Sequence, residues 1–167
     1  LGDPELVECY RDGSYITLEL DVTGVASAAG GTAKLHVYRV GYKTTDSPAT
    51  PFHTFNVSAD VITTANAHQP HVIAVHSAFG LITASIDGKT SFTGAPEPAG
   101  PAGGFGRPLP PNAVNLNPIG QGGDYLPFGL LCDIGFAVEP GQEARFRDVT
   151  VRHTRAPGNI LFREDLT

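Results

Sequence analysis

"HVIAVHSAFGLITASIDGKTSFTG" (residues 71–94) reads as three short strands joined by two tight turns, and no residue in it does obvious chemistry. Ile73 and Val75 fall on one face, Ala78-Phe79-Gly80 makes a turn, and Ile82, Ala84 and Ile86 form the next inward row, the period-two pattern of half-buried strands. Asp87-Gly88 is a strong hairpin signal, because both central residues of a type I′ turn need positive φ. The stretch therefore predicts an antiparallel meander. Its apolar face, Ile73, Val75, Ile82, Ala84 and Ile86, is expected to lie against an opposing sheet, and the Asp87-Gly88 turn to fix the register of the last pair.

Working outward, the same period recurs. From Tyr15, Ile16, Leu18, Leu20 and Val22 alternate with Thr17, Glu19, Asp21 and Thr23, until Ala-Ser-Ala-Ala-Gly-Gly at 26–31 breaks the run. "AKLHVYRVGY" (33–42) is a second strand, and "PFHTFNVS" (51–58) a third that opens after a proline. "GLLCDIGFAV" (129–138) sets Leu130, Cys132, Ile134, Phe136 and Val138 on one face. "ARFRDVTVRH" (144–153) changes phase at Arg147-Asp148, the mark of a bulge, and "NILF" (159–162) adds a short final strand. Strands at this spacing with no helical period predict an all-β fold, an antiparallel β-sandwich.

Residues 94–127, "GAPEPAGPAGGFGRPLPPNAVNLNPIGQGGDYLP", hold eight Pro and eight Gly. Connections this long within a compact domain are usually functional or disordered. We read the run as one long, partly ordered loop inside a single domain spanning 1–167, anchored to the surface by Phe105, Leu109, Val114, Leu116, Ile119 and Tyr125.

Composition narrows the function. A formal charge of −6 with no Lys/Arg cluster excludes a nucleic-acid binder, which needs grouped cations for phosphates. No window approaches 18 apolar residues, so no helical span of a membrane is expected. The start at Leu1 rather than Met, with no charged and apolar leader, is expected of a processed or excised fragment. Two cysteines, Cys9 and Cys132, fit no zinc or redox motif. They leave a disulfide, worth about 4–5 kcal/mol for a loop of about 120 residues, or two buried thiols. Asn56-Val57-Ser58 is an N-glycosylation sequon.

Chemistry is sparse. Glu19 and Asp21 share a strand face at about 6–7 Å between Cα atoms, a spacing that serves the paired carboxylates of a glycosidase; on a strand flanked by Thr17 and Thr23 they read more simply as a solvated face. His68, His71 and His76, with His36, His53 and His153 elsewhere, lack the spacing of a zinc hydrolase. Calcium would have to be held by Asp and backbone carbonyls, and no ligand-spaced loop supports it, so no cofactor is expected. Sugar sites combine aromatic faces with amide and carboxylate groups. Asn115, Asn117, Gln121, Asp124 and Tyr125 supply such a set in the long loop, and Tyr38 and Tyr42 another on a strand.

Taken together, "SYITLELDV", "HVIAVHSAFGLITASIDGKTSFTG" and "CDIGFAVEPGQEARFRDVTVRHTRAPGNILFRED" resemble the concanavalin-like, laminin-G-like β-sandwich (jelly roll) of secreted microbial α-L-rhamnosidases, the fungal ones above all, with "RAPGNILFREDL" the most specific part. In that family the catalytic acid and base lie on an (α/α)6 barrel that this chain does not contain. The resemblance implies a secreted, non-catalytic accessory module of a glycoside hydrolase, whose partners are carbohydrate or the parent's catalytic domain. From the residues themselves, a free-standing lectin-like carbohydrate-binding domain is the alternative, and a small jelly-roll glycosidase using Glu19 and Asp21 a third.

Overall fold

The computed structural model describes residues 15–26, 30–41, 45–78, 80–93, 109–116, 138, 141, 143–153 and 156–164. The chain forms two compact units, Leu1–Gly129 and Leu130–Thr167. The described part is all-β, and every strand pair in it is antiparallel.

In the first unit the strands are β1 (Tyr15–Asp21), β2 (Lys34–Val40), β3 (His53–Val57), β4 (Ile73–Ala78), β5 (Leu81–Ile86), β6 (Phe92–Thr93) and β7 (Ala113–Asn115). They make a four-stranded sheet in the order β1-β2-β3-β6 and a three-stranded sheet in the order β4-β5-β7. Alternation sorts the side chains as expected: Leu35, Val37, Phe55 and Val57 are buried from the first sheet, and Ile82, Ala84, Ile86 and Val114 from the second. β1 contributes Ile16, Leu18 and Leu20 opposite Arg39, Val37 and Leu35.

Between β1 and β2 the chain makes a 3₁₀ turn at Thr23–Ala26. Gly24 is required there, since a Cβ would come within 2.7 Å of the Thr32 carbonyl oxygen. Between β3 and β4, residues 58–72 form a series of turns that bury Val61, Ile62 and Ala67. Asn66 organises them: its side-chain oxygen accepts from the Thr63 amide at 2.6 Å, and its amide donates to the Val61 carbonyl at 3.0 Å.

The 71–94 stretch keeps its three strands but not its meander. Asp87 (φ 52°) and Gly88 (φ 74°) form the expected two-residue turn, closed by Ile86 and Lys89 bonding each other in both directions. Pairing stops at that bridge. β6 leaves β5 and pairs with β3 through Asn56↔Thr93 and Val57↔Phe92. The physical reason is that the free edge of β5 is already taken, by Leu81↔Asn115 through Thr83↔Ala113 and by the Ala84 amide donating to Asn112. Phe92, the one large apolar residue of 88–94, instead meets Phe55 edge-on at 5.5 Å. The turn is thus a corner between sheets.

Two further expectations change. Ile73 and Val75 share a face with Ile86 and Ala84 but remain 43% exposed, because β4 is an edge strand among the described residues. The 94–127 run is not one loop: Ala113–Asn115 is a strand, and Val114 and Leu116 are fully buried core residues rather than surface anchors. The rest of that run, apart from 109–116, lies outside the described residues.

The second unit is described as a hairpin of β8 (Val149–His153) and β9 (Ala156–Glu164), with register shifts at Val151/Arg152 and Arg152/His153. The strand read over 144–153 is shorter and its bulge lies elsewhere: residues 143–148 are outside the strand, Asp148 with φ 57° precedes it, and the register shifts fall after Val151 rather than at Arg147-Asp148. The final strand is longer than "NILF". Of "GLLCDIGFAV", only Val138 is among the described residues.

Candidate functional site: the outer face of the four-stranded sheet

Alternation that sends Leu35, Val37 and Arg39 inward leaves a second set of side chains on the opposite face. The register fixes its members. Thr17 faces Tyr38, Glu19 faces His36 and Asp21 faces Lys34 across the β1/β2 pair. Across β2/β3, His36 faces Thr54 and Lys34 faces Asn56, and Asn56 faces Thr93 on β6. Glu19 to Thr54 therefore spans about 10 Å, two inter-strand spacings.

His36 is the centre of this face. Its Nδ1 shares a 2.8 Å hydrogen bond with the Thr54 hydroxyl, and its Nε2 lies 3.8 Å from Asp21 Oδ2. Its ring is tilted 55° to that of Tyr38 at 6.2 Å. The Thr23 hydroxyl (2.6 Å) and amide (2.8 Å) donate to Asp21 Oδ1, a side-chain turn that secures the start of the 3₁₀ segment. Those bonds hold the Asp21 carboxyl below its usual range: the Thr23 hydroxyl contributes most, partial burial opposes it, and the Thr23 amide, His36 and Lys34 add to the lowering.

The acid of a glycosidase pair needs the opposite, a carboxyl raised by its surroundings, whereas its base or nucleophile is ionised. Asp21 accepts both Thr23 bonds and anchors the turn, and Glu19 stands beside it opposite His36. The sign also sets a pH dependence. A lowered carboxyl contributes stability above its unfolded value of about 3.9 and loses it as pH falls through the folded value. Asp21→Asn is expected to cost about 1 kcal/mol at pH 7. Urea unfolding at pH 7 and pH 3 checks this: the difference between wild type and variant should shrink at the lower pH.

Of the residues named from sequence, Tyr38, Glu19, Asp21 and the sequon residue Asn56 come together on this face. Asn115 lies in the other sheet, opposite Leu81. Tyr42, Asn117, Gln121, Asp124, Tyr125, Cys9 and Cys132 lie outside the described residues. Among the described residues no three of His, Cys, Asp and Glu gather as metal ligands. Nor is any described helix long and apolar enough to cross a membrane.

Sequence reasoning passed over two residues beneath this face. The buried Arg39 donates Nε to Asp46 Oδ1 (2.9 Å) and Oδ2 (3.1 Å) and Nη1 to the Leu116 carbonyl (2.7 Å), with Phe52 stacked 4.2 Å from its guanidinium. Nη2 lies 2.8 Å from Asp46 Oδ1, and the two side chains are 4% and 2% exposed. The signal was present: an arginine at an inward position of an apolar row must find a partner. Through Leu116 this pair ties the two sheets.

The chain matches no protein-family model, no curated protein and no solved structure. Its site is therefore read from its own geometry.

Proposed function

We propose that this chain is a non-catalytic, carbohydrate-binding β-sandwich module of a secreted glycoside hydrolase, and that the outer face of β1-β2-β3-β6 is its sugar-contacting surface. The observation that carries this is the convergence of the Tyr38 and His36 rings with Glu19, Asp21, Thr54 and Asn56 on one sheet face. An aromatic ring covers the apolar face of a pyranose, while carboxylate, hydroxyl and amide groups meet its hydroxyls. The sandwich belongs to the proposal: the buried rows of the two sheets supply the inner faces such a fold requires.

On the resemblance of the strand motifs alone, we take an α-L-rhamnosidase-like enzyme as the parent and terminal α-L-rhamnose, the sugar such an enzyme removes, as the ligand to test. Because Asn56 is on the same face, a glycan there and a bound ligand would compete for one surface, so binding is measured on unglycosylated protein.

Calorimetric titration of the 167-residue chain with methyl α-L-rhamnoside tests the reading. Tyr38→Ala is expected to weaken binding at least about tenfold, since loss of an aromatic anchor costs 1.4 kcal/mol or more. Unchanged affinity in that variant removes the face from consideration. Hydrolysis of an aryl rhamnoside that disappears in Glu19→Gln replaces the binding module with an enzyme.

A further inference from the structure

Away from that face, His71 stands between three pieces of chain. Its side chain is 7% exposed. Nδ1 lies 2.8 Å from Asp87 Oδ2, in the turn between the sheets, and Nε2 lies 2.9 Å from the Asn66 carbonyl oxygen, in the turns between β3 and β4. Asp87 Oδ1 accepts from the Val72 amide at 2.8 Å, and the Asp87 amide donates back to the Val72 carbonyl at 2.8 Å.

An ionised carboxylate and a peptide carbonyl only accept hydrogen bonds. A neutral imidazole has one N–H, so it can donate to one of these oxygens while its other nitrogen meets a lone pair. Only the imidazolium donates to both. The carboxylate is held ionised: the Asp87 carboxyl lies below its usual range, chiefly through the Val72 amide, against some burial, with His71 and then Lys89 adding to the lowering. Lys89, the other charged group facing Asp87, turns its ammonium to the Asp60 carbonyl at 2.9 Å and so belongs to the same junction.

We propose that His71 is a proton-dependent clasp, closed when its ring carries two protons, which fastens the corner where the chain passes from the three-stranded to the four-stranded sheet. The sign follows from the count of hydrogens. Losing either ring proton, a change histidines as a class make between pH 5 and 8, leaves one oxygen facing a bare nitrogen and loosens the junction of residues 66, 72 and 87. On the acid side the loss has another origin, protonation of Asp87, whose lowered carboxyl contributes less as pH falls through its folded value. The clasp does not depend on any sugar being bound.

Thermal unfolding of the full chain and of His71→Gln, at pH 5 and pH 8, tests the clasp, with His76→Gln as the control histidine. His71→Gln should melt about 2–4 °C below wild type at pH 5, with a distinctly smaller gap at pH 8, while the His76→Gln gap stays the same. A gap for His71→Gln equal at the two pH values overturns the proposal. Should the variant fail to fold, nitrogen-15 spectra of the histidine rings of wild type decide. Two protonated His71 nitrogens at pH 5, with loss of one on raising pH moving the Val72 amide resonance, are expected; a His71 ring with a single N–H at pH 5 contradicts the clasp.

Discussion

Asp46→Ala is expected to destabilise the chain by about 3–5 kcal/mol, because it strands the Arg39 guanidinium in a place where water cannot reach it. The pair is held by three nitrogen contacts to the carboxylate and one to the Leu116 carbonyl, beneath the Phe52 ring. Removing the anion leaves the cost of desolvating the cation with little to offset it. Removing both charges is different: an apolar pair of similar volume, Arg39→Met with Asp46→Leu, should recover much of the loss, since buried ion pairs are often replaceable by well-packed hydrophobes. Urea denaturation of the single variants and the double variant completes the cycle. A loss under about 1 kcal/mol for Asp46→Ala, the range of a solvated surface pair, would mean that the site is wet.

Charging Ile86 should be as damaging, and its cross-strand neighbour provides the contrast. Ile86 is fully buried and pairs directly with Ile73, which is 43% exposed. Ile86→Asp exchanges a buried apolar side chain for an unpaired buried carboxylate, a loss of about 4–5 kcal/mol or more and enough to unfold a domain of ordinary stability. Ile73→Asp leaves its charge in water and should cost under about 1 kcal/mol. Circular dichroism melts separate the two. An Ile86→Asp protein with a midpoint within a degree or two of wild type would overturn the inward placement of β5.

Local pattern carried the strands because it is local. β1, β2 and β5 follow their period-two rows, and the positive φ of Asp87 and Gly88 is the geometry their residue types favour. Pairing across long stretches of sequence did not follow, since alternation tells which way a side chain points but not which strand lies beside it. Thus β6 reads as the third strand of a meander and instead joins β3, and Val114 sits in a Pro/Gly-rich run that gives no sign of a core strand. The exposure of Ile73 and Val75 has the same origin: an apolar row looks alike at the edge and in the middle of a sheet.

The candidate site was legible in parts. Glu19 and Asp21 read as a pair on one strand and Tyr38 as part of another set, but only the β1/β2 register puts Glu19 opposite His36 and Thr17 opposite Tyr38. His71 and Asp87, 16 positions apart, were visible as a histidine in a cluster and an aspartate in a turn. Their contact depends on how residues 58–72 fold back, which no short motif encodes.

The most direct test of the sugar-binding face is a nitrogen-15 correlation spectrum of the unglycosylated chain titrated with methyl α-L-rhamnoside. Saturable shifts are expected at Thr17, Glu19, His36, Tyr38, Thr54 and Asn56, with the buried amides of β5 unmoved. No shifts up to saturating sugar, or shifts confined to residues away from β1, β2 and β3, would contradict sugar binding at this face.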